Sequence, residues 1–250
     1  VAAISAMDRF NTPVNRNGKT SLPRMVHPSD VGNVCVTETP EGQGCGLVLN
    51  KTILATVRNA TSTPLLFAML DVIFADVPLQ PYATWAQGDE ELIMVVVNGV
   101  LWKCARHGVH TRELLRRARS TRQLPLETSI VWYAHMRIIT LTCDSGAVLR
   151  PCIRLDRLRD AAAALPPRGR SPTSNTWDAV ERAGVEWLDT SEIEMHCVIL
   201  NDAADLDRIQ EFTHVEVHTA ASMLGLTAAM TPFSNQDQSP RCIYQGTRDL

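Results

Sequence analysis

Apolar positions along the chain fall into short blocks rather than one long periodic run, and each block predicts a short element. Val31, Val34 and Val36, then Leu47–Leu49, are brief apolar pieces set among turns, which predicts loops and short strands up to about Asn59. In Arg16-Asn17-Gly18-Lys19 the Asn-Gly pair tolerates positive φ at both central positions of a tight loop. Thr39-Pro40-Glu41-Gly42 suits a type I turn. Leu65, Leu66, Met69, Leu70 and Ile73 recur at helical spacing between Pro64 and Pro78, predicting a helix over 64–75. Leu92–Val97 reads as a buried strand that Asn98-Gly99 turns into Val100-Leu101-Trp102, a hairpin. Thr111–Arg122 reads as a basic helix with Leu114, Leu115 and Ala118 on its apolar side.

Met136–Thr142 and Ala147–Leu149 flank Asp144-Ser145-Gly146, which predicts a second hairpin. Leu155–Leu165 reads as a helix ended by Pro166, Trp177–Ala183 as a short helix and Met195–Leu200 as a strand. Phe212–Val217 alternates, and Ala220–Thr231 is an apolar stretch of small residues reaching Pro232. Only 165–176 has linker composition. The fold class expected from these blocks is α+β, in several small mixed modules.

Composition narrows the function classes. The chain of 250 residues is 45% hydrophobic and 20% charged, as a folded protein with its own core requires. Its longest strongly apolar run, Leu92–Val97, is far short of the roughly 20 residues of a membrane helix, so no membrane partner is expected. Seven irregularly spaced cysteines suit reduced thiols in an intracellular protein better than a disulfide framework. The start at Val1 and the stop at Leu250 lead us to expect an internal fragment.

The formal charge of −3 says nothing of a polyanionic partner, but its distribution is uneven. Between Leu101 and Pro125 stand Lys103, Arg106, Arg112, Arg116, Arg117, Arg119 and Arg122 against Glu113 alone. Between Glu186 and Glu216 acids dominate and only Arg208 opposes them, which predicts that the two segments meet different neighbours.

Candidate chemistry follows from residue types. His214-Val-Glu-Val-His218 offers two imidazoles, but β-branched Val215 and Val217 favour a polar strand face over a helical metal site. Asp202, Asp205 and Asp207 resemble magnesium carboxylates yet lack a turn glycine, so an acidic loop is the expectation. The basic helix can lie along phosphates or form a solvated amphipathic face, and the sequence leaves both open. Arg16, Lys19 and Arg24 surround the Asn-Gly tip, where a protruding loop suits backbone contact with nucleic acid. Near the carboxyl end, Arg241 and Tyr244 stand three residues apart after Pro240, with Gln238 just before. A guanidinium clamps phosphate through its planar fork and a phenol donates or stacks. Chemistry alone leaves a structural salt bridge equally open there.

Six collinear blocks carry a family resemblance. They are Asn11-Thr-Pro-Val-Asn-Arg-Asn-Gly-Lys19, His27-Pro28 with Cys35-Val-Thr-Glu-Thr-Pro-Glu-Gly-Gln-Gly-Cys-Gly-Leu-Val-Leu-Asn50, Val97-Asn-Gly-Val100, Asp144-Ser-Gly-Ala-Val-Leu-Arg-Pro151, Thr213–His218, and Pro232-Phe233 with Gln238-Ser-Pro-Arg-Cys-Ile-Tyr-Gln245. In this order they resemble the second-largest, β-type subunit of multisubunit DNA-directed RNA polymerases, in its eukaryotic, archaeal or large-DNA-virus form. The resemblance implies a fork-like region over 1–60, external modules over 61–125 and 126–195, the latter with the linker 165–176, and the start of a hybrid-binding region over 196–250.

The resemblance further implies that Arg241, Tyr244 and Gln238 contact the incoming nucleoside triphosphate and that Arg16, Lys19 and Arg24 contact nucleic acid. No catalytic residue and no metal ligand is expected in this chain. The Mg²⁺ of nucleotidyl transfer would be held mainly by the largest subunit, leaving Asp202–Asp207 without a metal role and His214–His218 as a structural strand. Implied partners are the largest and smaller polymerase subunits, template DNA, the RNA–DNA hybrid and NTPs, in the nucleus, or in a virus factory or virion. Val31 stands where the family usually has an aromatic, Val36 where it has proline, and Gly-Thr-Arg-Asp follows Gln245, which points to a divergent member such as a viral one. Two other classes compete with this reading: a non-catalytic nucleic-acid-binding module built on the 101–125 basic segment, and a metal-dependent hydrolase using His214 and His218.

Overall fold

The computed structural model describes residues 2–18, 20–40, 42–81, 92–165, 174–196, 198–199, 212–216 and 223–230. They combine helices with small sheets, the mixed class expected, and divide into two compact units, Val1–Thr56 with Val217–Leu250, and Val57–Glu216.

The first unit is held by turns more than by ladders, as its scattered apolar residues require. Helix α1 (Ala2–Met7) leads into β1 (Arg9–Asn11), which pairs antiparallel with β2 (Val48–Asn50) in the register Arg9↔Asn50 to Asn11↔Val48. Between them lie 3₁₀ turns at Leu22–Arg24, Pro28–Asp30 and Gly42–Gly44. The middle one is capped reciprocally: the His27 ring accepts the Ser29 N–H at 3.2 Å, and the Asp30 carboxylate accepts the His27 N–H at 3.1 Å. Cys35 and Leu47 form its buried centre. The returning segment completes it, with Met223 and Leu224 carbonyls accepting from Val36 N at 3.4 Å and Ile53 N at 3.1 Å.

In the second unit α2 (Thr63–Ile73) occupies the expected place. A five-stranded sheet runs in the order β3-β5-β4-β7-β6, where β3 is Gln80–Pro81, β4 Leu92–Val97, β5 Val100–Arg106, β6 Ser129–Tyr133 and β7 Ile138–Thr142. The β4–β5 hairpin turns at Asn98 and Gly99 with φ of 48° and 78°, the conformation that an Asn-Gly pair supplies. Leu66, Leu70 and Phe74, one turn apart on or just after α2, pack against Val95, Val97, Leu115, Ile139 and Leu141 as one core. Strands on either side of residue 125 share this sheet.

The second predicted hairpin does not form. β7 ends in the first sheet, whereas β8 (Val148–Arg154) starts a second one ordered β9-β8-β11-β10, with β9 Val185–Asp189, β10 Val198–Ile199 and β11 His214–Glu216. Arg58, 4% exposed, takes the turn's polar groups instead: its amide donates to Ala147 O at 2.9 Å, its Nε to Asp144 O at 2.8 Å, and its carbonyl accepts from Gly146 N at 3.0 Å. Asn98 Oδ1 accepts the Cys143 amide at 2.7 Å. With these groups satisfied by Arg58 and Asn98, the turn links two sheets rather than two paired strands. Helices α3 (Gly108–Ser120), α4 (Leu158–Ala164), α5 (Ser174–Gly184) and α6 (Thr190–Ile193) complete the unit.

Candidate nucleic-acid interface

The loop between β1 and the first 3₁₀ turn is built from its own polar side chains. Asn15 Oδ1 accepts the Asn17 amide at 3.0 Å and Asn15 O accepts the Gly18 amide at 3.0 Å, closing the tip. Arg16 is exposed, and its Nη2 donates to Asn11 Oδ1 at 3.0 Å, which sets the direction of the guanidinium. Arg24 faces inward. Its Nη1 donates to the carbonyls of Gln43 at 2.9 Å and Cys45 at 2.7 Å, while Nη2 donates to Arg16 O at 2.8 Å.

One planar guanidinium thus joins the loop tip to the glycine-rich turn. Gly46 makes this approach possible, because at φ +73° a Cβ there would lie 2.6 Å from Arg24 O. Lys19 lies outside the described residues.

The same unit holds a buried carboxylate that the sequence did not single out. Glu38, 4% exposed, accepts Asn50 Nδ2 at 2.9 Å and the Ala228 amide at 3.0 Å, tying the Glu-Thr-Pro-Glu-Gly segment to the short helix Leu226–Met230. A Cβ on Gly225 would collide with the Glu38 carboxylate. That helix precedes the segment of Gln238, Arg241 and Tyr244, all three outside the described residues.

The basic helix has another role. In the second unit Arg116 and Arg119 of α3 are 7% and 1% exposed. Arg119 pairs with Glu192 at 2.8 Å and Glu186 at 2.9 Å, and Arg116 with Glu186 at 3.0 Å. The basic and acidic segments therefore meet each other, contrary to the expectation of separate neighbours. The reason is that isolated buried charges cost several kcal/mol and opposite charges placed together offset this. With these two arginines committed inside, α3 presents less charge to phosphate than its sequence suggests.

His214 is fully buried in this cluster rather than on an open polar face. Thr213 Oγ1 lies 2.9 Å from its Nδ1 and Glu186 Oε2 lies 3.2 Å from its Nε2. Arg116 Nη2 also lies 3.3 Å from Nε2, so a neutral ring has a partner for each nitrogen in either tautomer: Nε2–H donating to Glu186 with Nδ1 accepting from Thr213, or Nε2 accepting from Arg116 with Nδ1–H donating to Thr213. The His196 ring lies against it, tilted by 56° with 4.6 Å between ring centroids. His218 and Asp202–Asp207 lie outside the described residues, and among the described residues no group of three or more His, Cys, Asp or Glu side chains converges to hold a metal.

Burial by itself would raise the Glu186 and Glu192 carboxyls. The charge of Arg119 outweighs it, with hydrogen bonds from His214 to Glu186 and from His196 to Glu192, and both titrate below the usual range, Glu186 well below. Burial pushes His214 below its ordinary 6.5 against the pull of Glu186. All three shifts act in one direction. Below 6.5 the unfolded chain takes up a proton that folded His214 refuses, and below 4.5 it protonates carboxylates that the fold keeps charged. Urea-unfolding midpoints are therefore expected to hold at neutral pH, to fall below about 6.5 and to fall more steeply below about 4.5. His214→Gln is expected to flatten the upper part of that decline, whereas an unchanged profile would count against a buried neutral imidazole.

Comparison with known proteins agrees with the sequence blocks. The family model for RNA polymerase Rpb2, domain 3, matches residues 1–57, and that for RNA polymerase Rpb2, domain 4, matches residues 95–156. The chain is 31% identical to the DNA-directed RNA polymerase II subunit RPB2 of Encephalitozoon cuniculi, over 98% of its own length and 22% of the relative's. The chain belongs to the family of RNA polymerase second-largest subunits. Other Rpb2-type relatives include the RPB2 of Schizosaccharomyces pombe, 28% identical over 98% of this chain and 24% of the relative. A probable RPB2 homolog of Invertebrate iridescent virus 6 is 28% identical over 98% of this chain and 20% of the relative. The chain thus spans between a fifth and a quarter of the Rpb2-type relatives it matches. The domain 3 match covers the Arg16 loop, the Arg24 brace and Glu38, and the domain 4 match covers α3 and the turn held by Arg58.

Proposed function

We propose that this chain serves template-directed RNA synthesis as part of a multisubunit DNA-directed RNA polymerase, contacting nucleic acid through the Arg16 loop and the incoming NTP through Arg241, Tyr244 and Gln238. The observation that carries the reading is the match to Rpb2-type polymerase subunits along 98% of the chain. In this reading 1–60 forms the fork-like region, 61–125 and 126–195 the external modules, and 196–250 begins the hybrid-binding region. Template DNA, the RNA–DNA hybrid and the other polymerase subunits are its partners, in the nucleus or at a viral site of transcription. The largest subunit carries the Mg²⁺ that supplies Lewis-acid chemistry at the phosphates. Arg241 holds a positive charge where negative charge develops on the triphosphate, an electrostatic task with no proton transfer.

At the loop, Arg16 and Lys19 reach phosphate, while Arg24 serves them by fixing the tip. The assembled polymerase tests this through the salt dependence of its complex with DNA. Arg16→Glu is expected to weaken the complex and to lower the log–log salt slope by about one, as loss of one phosphate contact requires. Arg24→Lys keeps the charge but not the fork that reaches four carbonyls, so it is expected to behave like Arg24→Ala. Full activity of the lysine variant would make Arg24 a phosphate contact instead of a brace.

A further inference from the structure

We propose that the second unit carries a separate anion site, a shallow cleft where Arg122, Arg154, Arg157 and Arg182 converge, and that it takes the phosphodiester backbone of a single-stranded nucleic acid. The cleft lies where the end of α3, the end of β8 and the end of α5 come together. Gly184 brings the last two into contact: a Cβ there would stand 2.8 Å from Arg157 Cβ and 3.3 Å from its carbonyl oxygen. Without that side chain, Arg157 and Arg182 line one opening.

The acids on the wall engage Arg122 and Arg154 and leave the other two arginines to the opening. Glu181 accepts Arg122 Nη2 at 2.9 Å and Trp187 Nε1 at 2.7 Å. Glu186 is engaged from within by Arg116, Arg119 and His214, and Arg154 is shared between it and exposed Asp156. Arg157 and Arg182 are both exposed, and among the described residues neither guanidinium makes a hydrogen bond or ion pair, the charge of Arg157 acting only at longer range on Asp156.

Arg122 adds a second line of argument. It follows the C-terminal turn of α3 with φ +61°, a left-handed backbone that glycine or asparagine normally supplies. An arginine there is unfavourable for the backbone, and its guanidinium stands at the cleft mouth, paired with Glu181 at 2.9 Å. The two cations without an acid partner, Arg157 and Arg182, are arginines, whose planar forks match phosphate oxygens in pairs. A nucleic acid strand offers such groups at every nucleotide. Preferring it to an acidic peptide rests on the polymerase reading; the cleft itself does not.

The test uses elongation complexes assembled with the full-length subunit, their template, non-template strand and transcript in place, so that the main nucleic-acid channel is filled. A short fluorescein-labelled oligothymidylate is the probe, and its anisotropy is followed across a salt series. The Arg157→Glu/Arg182→Glu pair is expected to weaken probe binding at least tenfold and to lower the salt slope by about 1.4, the value for two single-strand phosphates. Arg122→Gly is expected to weaken binding by a smaller factor while the thermal midpoint stays or rises, since glycine suits the positive φ. Unchanged probe binding after charge reversal would overturn the site, and displacement of the probe by polyglutamate at lower charge equivalents than by unlabelled oligothymidylate would overturn the choice of ligand. Transcript extension by the same complexes reports the polymerase reading separately.

Discussion

Arg119→Leu is expected to lower the unfolding free energy of the chain by about 3–5 kcal/mol, the cost of removing one partner from a buried ion pair. Arg119 is 1% exposed and Glu192 is fully buried. Arg119 Nη1 donates to Glu192 Oε2 at 2.8 Å and to Thr128 O at 2.8 Å, and Nη2 donates to Glu186 Oε2 at 2.9 Å and Glu192 Oε1 at 2.9 Å. Leucine would fill part of the volume but leave the Glu192 carboxylate buried with only the Ile130 amide at 3.3 Å and His196 Nε2 at 3.9 Å beside it.

Against a typical total of about 5–15 kcal/mol, a loss of that size places the variant near the edge of folding. Adding Glu192→Met to Arg119→Leu is expected to restore part of the loss, because the orphaned charge disappears with it. Denaturant unfolding of the full chain and the two variants measures both values. A loss under about 1 kcal/mol for Arg119→Leu would mean that the pair is solvated and that the two charged segments do not meet as described.

This cluster also marks the boundary of what the sequence could disclose. Helix α2, the Asn98-Gly99 hairpin and strand β4 were legible because each carries its own periodicity or turn chemistry. The charge runs at 101–125 and 186–216 were visible, but their mutual pairing was not, since it joins residues about 70 positions apart, such as Arg116 and Glu186. The false hairpin at Asp144–Gly146 has the same origin: the turn residues were read correctly, and a distant arginine, Arg58, decided which sheet the following strand joined.

At the loop, residue types pointed to Arg16 and Arg24 alike. Only geometry separates the exposed guanidinium held by Asn11 from the inward one bonded to four carbonyls. Glu38 stands within the Cys35–Asn50 block, but a carboxylate inside a polar turn carries no local sign of its burial. Its partners, Asn50 and Ala228, come from elsewhere in the chain.

Arg241→Ala in the assembled polymerase is expected to slow single-nucleotide addition by a factor of about 100 to 1,000, the range for loss of one preorganised charge-stabilising donor. The defect should be largest at limiting NTP and should persist at saturation, because the guanidinium is proposed to act on charge that grows during transfer rather than on ground-state binding alone. Arg241→Lys keeps a positive charge without the fork and is expected to recover only part of the rate. Rapid-quench measurement of one nucleotide addition on a primed template therefore bears most directly on the proposed function. A rate reduced by two to three orders of magnitude with intact template binding is the predicted result, and near-normal addition at limiting NTP would contradict it.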